Sequence, residues 1–319
     1  MRIVIPDDYQ DAVRSLDCYR KLAGHEVTVY HDTVKDVATL AARFQDAEAL
    51  VLIRERTQIS ELLLALLPKL KLISQTGLGM PHIDLAACTH YGVAVAAGGG
   101  SPYATAELTW ALVLASMRHI PQELAQLRAS HWQTTLGLGL RGRLLGVFGY
   151  GKIGSLVAGY GRAFGMKVIV WGREGSLSRA KADGYELATN QSALFETSDV
   201  LSLHIKMTEE TRGIVTANDL AKMKSSALLV NTSRALLIDP GVLEQALQAG
   251  QPGMAAVDVY EEEPVTGHPL MGMDNVICTP HLGYVEKDSY ENFLGTAFEQ
   301  VLAFAAGKPI NVVNPEALH

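Results

Sequence analysis

Two series of short runs along this chain are apolar at nearly every position, and that pattern leaves few folds open. The first series is RIVI (2–5), EVTVY (26–30), ALVLI (49–53), LKLIS (70–74) and VAVAA (93–97). The second is LLGVFGY (144–150), KVIVW (167–171), DVLSLHI (199–205), ALLVN (227–231), MAAVDVY (254–260) and NVICT (275–279). A strand with one wet face alternates apolar and polar residues. A strand that is apolar throughout is buried on both faces, as in a parallel sheet covered by helices. The expected class is therefore α/β, with two doubly wound parallel-sheet domains, the second of six strands.

Between the two series, SPYATAELTWALVLASMRHIPQELAQLRAS (101–130) keeps helical spacing of its apolar residues. It reads as one long helix, capped by Ser101 and with Pro102 in its first turn. No repeat or Pro/Gly/Ser-rich tether interrupts the chain, so the boundary is expected to be a hinge. A length of 319 residues, 48% hydrophobic and 19% charged, suits two well-buried cores.

The net charge of −7 argues against binding to nucleic acid or to a membrane surface, though not against a small anionic substrate. Cys18, Cys88 and Cys278 have no metal-ligand spacing, and no metal site is expected. The N-terminus MRIVIPDDYQ runs directly into a strand without the apolar core of a secretion signal. With an odd number of cysteines, this leads to the expectation of a cytoplasmic protein.

Gly149, Gly151 and Gly154 form G-x-G-x-x-G after a buried run and before a helical one. The first glycine permits a tight turn, the second lets backbone approach a pyrophosphate, and the third lets helix pack on strand. The helix N-terminus adds free N–H groups and partial positive charge. Dinucleotide binding is the expectation. Gly146 to Lys152 also resembles a Walker loop, but Ile153 stands where a magnesium-binding hydroxyl is needed. A methyltransferase would share the glycine-rich turn but would have no use for the residues that follow.

Those residues lie just past strand ends: Arg234 in NTSRALLI, Asp258 and Glu263 in DVYEEEP, His281 in TPHLG. In an open α/β sheet such positions face a common crevice. Singly, each has a bland reading: a solvated arginine, a turn aspartate, a surface glutamate, a structural histidine. Their joint placement after successive strands is what points to acid–base chemistry.

Across nearly its whole length the chain resembles the D-isomer-specific 2-hydroxyacid dehydrogenases. The likeness rests on the Gly-rich loop, SDVLSLHI, LLVNTSR, AAVDVYEEEP and NVICTPHLG, in family order. It implies a flavodoxin-like substrate domain from residues 1–100 plus 287–319, and a Rossmann cofactor domain from 101–286. His281 would be the general acid in reduction and the base in oxidation, suited by an imidazole pKa near neutrality. Glu263 would orient the ring and favour its protonated form. Arg234 would pair with the substrate carboxylate and polarise its carbonyl, which a planar guanidinium does better than lysine.

Carried over position by position, the implied cofactor contacts are Gly149, Gly151, Lys152, Ile153, Gly154, Gly172, Arg173, Ile205, Lys206, Thr232, Ser233, Asp258 and Gly283. Asp258 would hold the nicotinamide carboxamide. The loop QTGLGMPHID (75–84) resembles a backbone cradle for the substrate carboxylate, with Leu78, Gly79 and nearby Arg54 as substrate contacts. The segment 287–306 would be the helix that returns to the first domain. The family also usually forms homodimers through the nucleotide domain, and Trp110 and Trp132 lie in or after the helix expected to contribute.

The sequence departs from the family pattern in places. Met80 and Pro81 stand where an aspartate is usual, Lys206 where a proline is usual, and Ala235 where a glycine is frequent. The end of the second cofactor-domain strand, VIVWGREG, lacks the acidic residue that would bind a ribose 2′-hydroxyl. Gly172 stands there, with Arg173 beside it, and a guanidinium pairs well with phosphate. NADP(H) is therefore favoured over NAD(H), with Lys206 adding charge and Glu174 as the alternative ribose acid.

The expected activity is interconversion of a small 2-oxo acid and its D-2-hydroxy acid, as in a glyoxylate or hydroxypyruvate reductase. The alternative within the class is a D-3-phosphoglycerate dehydrogenase, although the chain ends at INVVNPEALH without the regulatory domain of many such enzymes. A different class, a dinucleotide-sensing corepressor-like binding protein, would keep the same residues. No basic tail or disordered arm supports it.

Overall fold

The apolar runs become two parallel sheets, seen in a computed structural model that describes residues 1–318. One unit is Met1–Ser101 together with the chain from Glu286 onward, and the other is Pro102–Val285. In the first, β1 (Arg2–Ile5), β2 (Glu26–Val29), β3 (Ala49–Leu52), β4 (Leu72–Thr76) and β5 (Ala94–Gly98) pair in the order β2-β1-β3-β4-β5. This is the flavodoxin-like order. Helices α1 (Val37–Phe44), α2 (Glu61–Leu64) and α3 (Leu85–His90) connect them, each with a side-chain N-cap, Asp36, Ser60 and Asp84 respectively. All positions of β3 and β4 are buried; the unbroken apolar run ALVL accounts for β3, whereas β4, LISQT, buries the polar Ser74, Gln75 and Thr76 as well.

The second unit opens with two helices where one was expected. The segment 101–130 is α4 (Pro102–Met117) followed by α5 (Ile120–Arg128), with His119 left-handed between them at φ 52°. The cause is Pro121. Its ring would collide with the carbonyl of Met117 and it has no N–H to offer. The Met117 carbonyl instead accepts from Leu138 N at 2.7 Å.

The chain continues through β6 (Leu144–Phe148), α6 (Lys152–Ala163), β7 (Lys167–Trp171), α7 (Glu174–Ala182), β8 (Glu186–Leu187), α8 (Gln191–Thr197) and β9 (Val200–Leu203). It then forms α9 (Ala217–Leu220), β10 (Leu228–Asn231), α10 (Val242–Gln248), β11 (Met254–Val257) and β12 (Val276–Cys278). The sheet has seven strands in the order β12-β11-β10-β9-β6-β7-β8, not six. The extra strand, β8, is a two-residue edge with both residues exposed, so it has no apolar signature.

Alternate residues of the central strands serve opposite faces. Leu228 and Val230 join the cluster under α4 and α6, whereas Leu229 joins the cluster with Phe148, Phe195 and Leu203. Each such side chain contributes about 1.5–3 kcal/mol on burial. Strand order reverses between β6 and β9, which makes the carboxyl ends of those strands the switch point where α/β sheets take ligands.

The last helix, α11 (Lys287–Ala305), packs in the first unit. Ser74 on β4 donates to the Ala297 carbonyl at 3.0 Å and to Gln300 Oε1 at 2.6 Å. Asn314 ties the end of the chain to β5, accepting from Val95 N at 2.7 Å. Among the described residues no helix is long and apolar enough to cross a membrane.

Candidate active site

The three fingerprint glycines occupy the turn from β6 into α6, and each meets a different constraint. Gly149 has φ 98°, and a Cβ there would lie 2.5 Å from the His204 carbonyl oxygen. A Cβ on Gly154 would lie 2.1 Å from the Gly149 carbonyl oxygen. These two are required for the turn and for the helix to lie against it. Gly151, the N-cap of α6, is different: nothing lies within 4 Å of its notional Cβ. Its bareness serves no internal packing, which fits a backbone surface that a pyrophosphate approaches. The first N–H groups of α6, at Lys152 and Ile153, complete that surface.

Around this turn stand the other proposed dinucleotide contacts. Gly149 N donates to the Trp171 carbonyl at 2.8 Å, so Gly172 lies directly beside the turn. Arg173 is the exposed N-cap of α7, and its side chain has no partner among the described residues. Glu174 is the exposed first residue of the same helix. Arg179, which sequence reasoning missed, reaches back from α7 to donate to the Tyr150 carbonyl within the fingerprint at 2.9 Å. Ile205 follows β9 beside Gly149, and Lys206 next to it is exposed.

Past β10, the Thr232 hydroxyl bonds that of Thr109 on α4 at 2.7 Å, and Ser233 Oγ donates to the Ile205 carbonyl at 2.7 Å. Both hydroxyls thus bind neighbouring elements. Arg234 follows, half-buried, with Nη1 donating to the Ser233 carbonyl at 2.8 Å.

Glu263 and His281 form the closest charged contact in this region. His281 Nδ1 lies 2.6 Å from Glu263 Oε2, and Glu263 Oε1 accepts from Tyr260 N at 3.1 Å. Burial works to raise the Glu263 carboxyl, but the His281 bond and charge, the Tyr260 N–H and the Arg234 charge outweigh it. The carboxyl is held below the usual range. An ionised Glu263 can only accept, so His281 Nδ1 carries a proton and Nε2 is the nitrogen left for a substrate. The ring also meets Tyr284 edge-on, with centroids 5.2 Å apart.

Asp258 has an internal role that its sequence context did not reveal. It is fully buried, and its oxygens accept from Thr279 Oγ1 at 2.5 Å, Leu282 N at 2.7 Å and Gly283 N at 2.8 Å. Burial raises its carboxyl pKa against these bonds and the charge of His281. The carboxylate thereby shapes the turn that carries His281, itself left-handed at φ 51°. Tyr260 supports the same turn, its hydroxyl donating to the Thr279 carbonyl at 3.1 Å.

In the other unit, Arg54 is left-handed at φ 58° and its backbone N–H donates to Thr76 Oγ1 at 2.8 Å. Gly77 turns at φ 86°, where a Cβ would run 2.0 Å into Arg54 Nη1. Leu78 is 74% exposed, and Gly79 lies against Glu55, with its notional Cβ 2.5 Å from Oε1.

The family model for the NAD binding domain of D-isomer specific 2-hydroxyacid dehydrogenases matches residues 110–283. The chain is 37% identical over 293 residues to a glyoxylate reductase of Aeropyrum pernix, covering 88% of this chain and 87% of that one. It is 37% identical to a D-3-phosphoglycerate dehydrogenase of Bacillus subtilis over 86% of its length, but spans 53% of that longer protein. Among solved structures, a Ralstonia solanacearum protein superposes with a TM-score of 0.98 at 55% identity, covering 100% of this chain and 98% of the other. A phosphoglycerate oxidoreductase of Vibrio cholerae superposes at 0.93 and 52% identity, covering 96% and 99%.

Proposed function

The chain belongs to the D-isomer specific 2-hydroxyacid dehydrogenases, enzymes that use a nicotinamide dinucleotide, and from that premise we propose that it reduces a small 2-oxo acid with NADP(H). Glyoxylate and hydroxypyruvate are the proposed substrates. The single observation that carries the reading is the Glu263–His281 hydrogen bond, which leaves one imidazole nitrogen for substrate.

In this reading the cofactor is held by the Gly149–Gly154 turn and the α6 N-terminus, with Gly172, Ile205, Thr232, Ser233 and Gly283 around it. Asp258 offers its remaining lone pairs to the carboxamide. When bound, the dinucleotide supplies the hydride for C2 of the substrate. Arg234 pairs with the substrate carboxylate and polarises the carbonyl. His281 Nε2 gives a proton to the 2-oxo oxygen, and takes it back in oxidation, while Glu263 stabilises the charged ring. Leu78 and Gly79 present backbone N–H groups to a substrate carboxylate, with Arg54 adding charge.

Preference for NADP(H) is supported by Gly172 at the end of β7, where no carboxylate repels a phosphate, and by the unpartnered Arg173 beside it. Arg179 and Lys206 add positive charge around the same turn. A homodimer formed through the second unit is supported by α5, which buries no residue of its own. Leu124, Leu127, Trp132 and Leu136 are 49%, 55%, 77% and 92% exposed along it and the segment that follows. Three free cysteines suit a reducing, cytoplasmic setting.

The test is initial rates with glyoxylate, hydroxypyruvate and 3-phosphohydroxypyruvate, each with NADPH and NADH. Higher kcat/KM with NADPH, falling about tenfold or more in Arg173→Ala while the NADH value holds, is the expected result. An NADH preference unaffected by that substitution would overturn the cofactor assignment and turn attention to Glu174. Turnover confined to 3-phosphohydroxypyruvate would favour the second reading, a phosphoglycerate dehydrogenase, the name carried by the Bacillus relative.

A further inference from the structure

The cradle loop is held by an internal pair that neither the motif nor the catalytic residues account for. Gln75 on β4 is 1% exposed, and its Nε2 faces three carbonyl oxygens: Thr76 at 3.0 Å, Arg54 at 3.2 Å and Gly79 at 3.3 Å. Carbonyls only accept, so this end of the amide must be the NH2 group. Its oxygen then points to His82, whose Nε2 lies 3.2 Å away. That oxygen also only accepts, so His82 Nε2 carries the proton and Nδ1 of the neutral ring is bare.

His82 is 5% exposed, and Nδ1 has no partner among the described residues. Burial pushes the ring pKa down to about 4, with Glu55 opposing and Arg54 reinforcing the shift. The imidazole is therefore a neutral donor at physiological pH.

An unpartnered buried acceptor is destabilising, which calls for a reason. The loop itself supplies one. Gly77 and Gly79 have no side chains to pack, and Leu78 between them is 74% exposed. Met80 packs partly on the core beyond them. The bond from Gln75 to the Gly79 carbonyl fixes the exposed part of the loop, and His82 fixes Gln75.

We propose that Gln75 and His82 are positioning residues that set the loop from Gly77 to Gly79 in the shape that receives a substrate carboxylate. The proposal rests on the reading of Leu78 and Gly79 as that cradle.

The experiment measures steady-state kinetics of the full-length enzyme with hydroxypyruvate, with amide exchange of residues 76–80 as a readout that needs no turnover. His82→Ala should raise KM for hydroxypyruvate about tenfold, leave kcat and cofactor KM within about twofold, and speed exchange of the loop. His82→Gln, whose longer side chain carries an amide N–H to the position of Nε2 and can donate to Gln75, should restore KM to within about threefold. In Gln75→Glu the carboxylate cannot donate to the three carbonyls and is tolerated only against a protonated His82. Its KM should therefore climb from pH 6 to pH 8.5, where the wild-type value stays flat.

Unchanged KM in His82→Ala, with Gly79→Ala raising it tenfold or more, would overturn the positioning role and leave the cradle standing. No effect of either substitution would overturn the cradle reading as well. Failure of His82→Gln to rescue would reduce the pair to a structural contact and sink the proposal.

Discussion

Glu263 Oε2 sits 2.6 Å from His281 Nδ1 and is held ionised there, so the pair shares one negative charge and at least one ring proton. Replacing Glu263 by Gln keeps the shape and removes the charge that favours imidazolium. In the reduction direction the protonated ring is the active form, so kcat for reduction should fall about 10- to 100-fold in steady-state assays. An unchanged kcat would remove Glu263 from acid–base control.

The same pair carries a stability signature. The Glu263 carboxyl is depressed in the folded state, so its contribution is fully present above the unfolded value of about 4.3 and is lost as pH falls through the folded one. Asp199 follows the same sign. Burial opposes ionisation there, but Lys224 at 2.8 Å and the Leu144 N–H at 2.8 Å prevail. Melting temperature should hold near neutrality and drop below about pH 4. Glu263→Gln should lose less between pH 7 and pH 3 than wild type does, a difference that thermal melts across buffers will measure.

The fingerprint glycines separate folding from binding. In Gly154→Ala the new methyl meets the Gly149 carbonyl oxygen at 2.1 Å, and neither backbone can yield. A loss of about 1–3 kcal/mol or more is expected, seen as a lower denaturant midpoint. Gly151→Ala has open space and a negative φ of −97°, so its midpoint should not move. Its cofactor Kd should nonetheless rise about tenfold or more, because the methyl stands where backbone alone admits phosphate. Equal affinity in the Gly151 variant would place the dinucleotide elsewhere.

Which parts of this were legible in the sequence follows from what a sequence displays. The central strands were, because burial on both faces leaves an apolar run with no interruption. Strand β8 was not, since two exposed edge residues carry no such mark. The break at His119 was written in Pro121, four residues after Met117, but the apolar spacing on both sides masked it. At the candidate site, Glu263, His281 and Arg234 stood out because their side chains carry charge or titrate. The supporting work of Asp258, Tyr260 and Gln75 runs largely through backbone N–H and carbonyl groups, which every residue has and no motif shows. Arg179 depends on the path of α7 back to Tyr150, a distance that residue spacing alone does not encode.

Asp258 is the sharpest case of that hidden support, and substituting it with Asn tests what the turn is worth. The carboxylate accepts two backbone N–H bonds, from Leu282 and Gly283, on different oxygens. An amide has one oxygen, so one N–H must face an NH2 group and lose its acceptor. Hydrogen bonds to a charged group are worth about 1.5–3 kcal/mol each, and an unmatched buried donor adds a similar cost. The turn so loosened carries His281 two residues after Thr279, at a left-handed φ that its surroundings must hold. Asp258→Asn should therefore lower the melting temperature and reduce kcat by about 10- to 100-fold through misplacement of the imidazole. A drop in kcat with Tm unchanged would assign Asp258 to cofactor contact alone, whereas a drop in both would identify it as the residue that builds the turn.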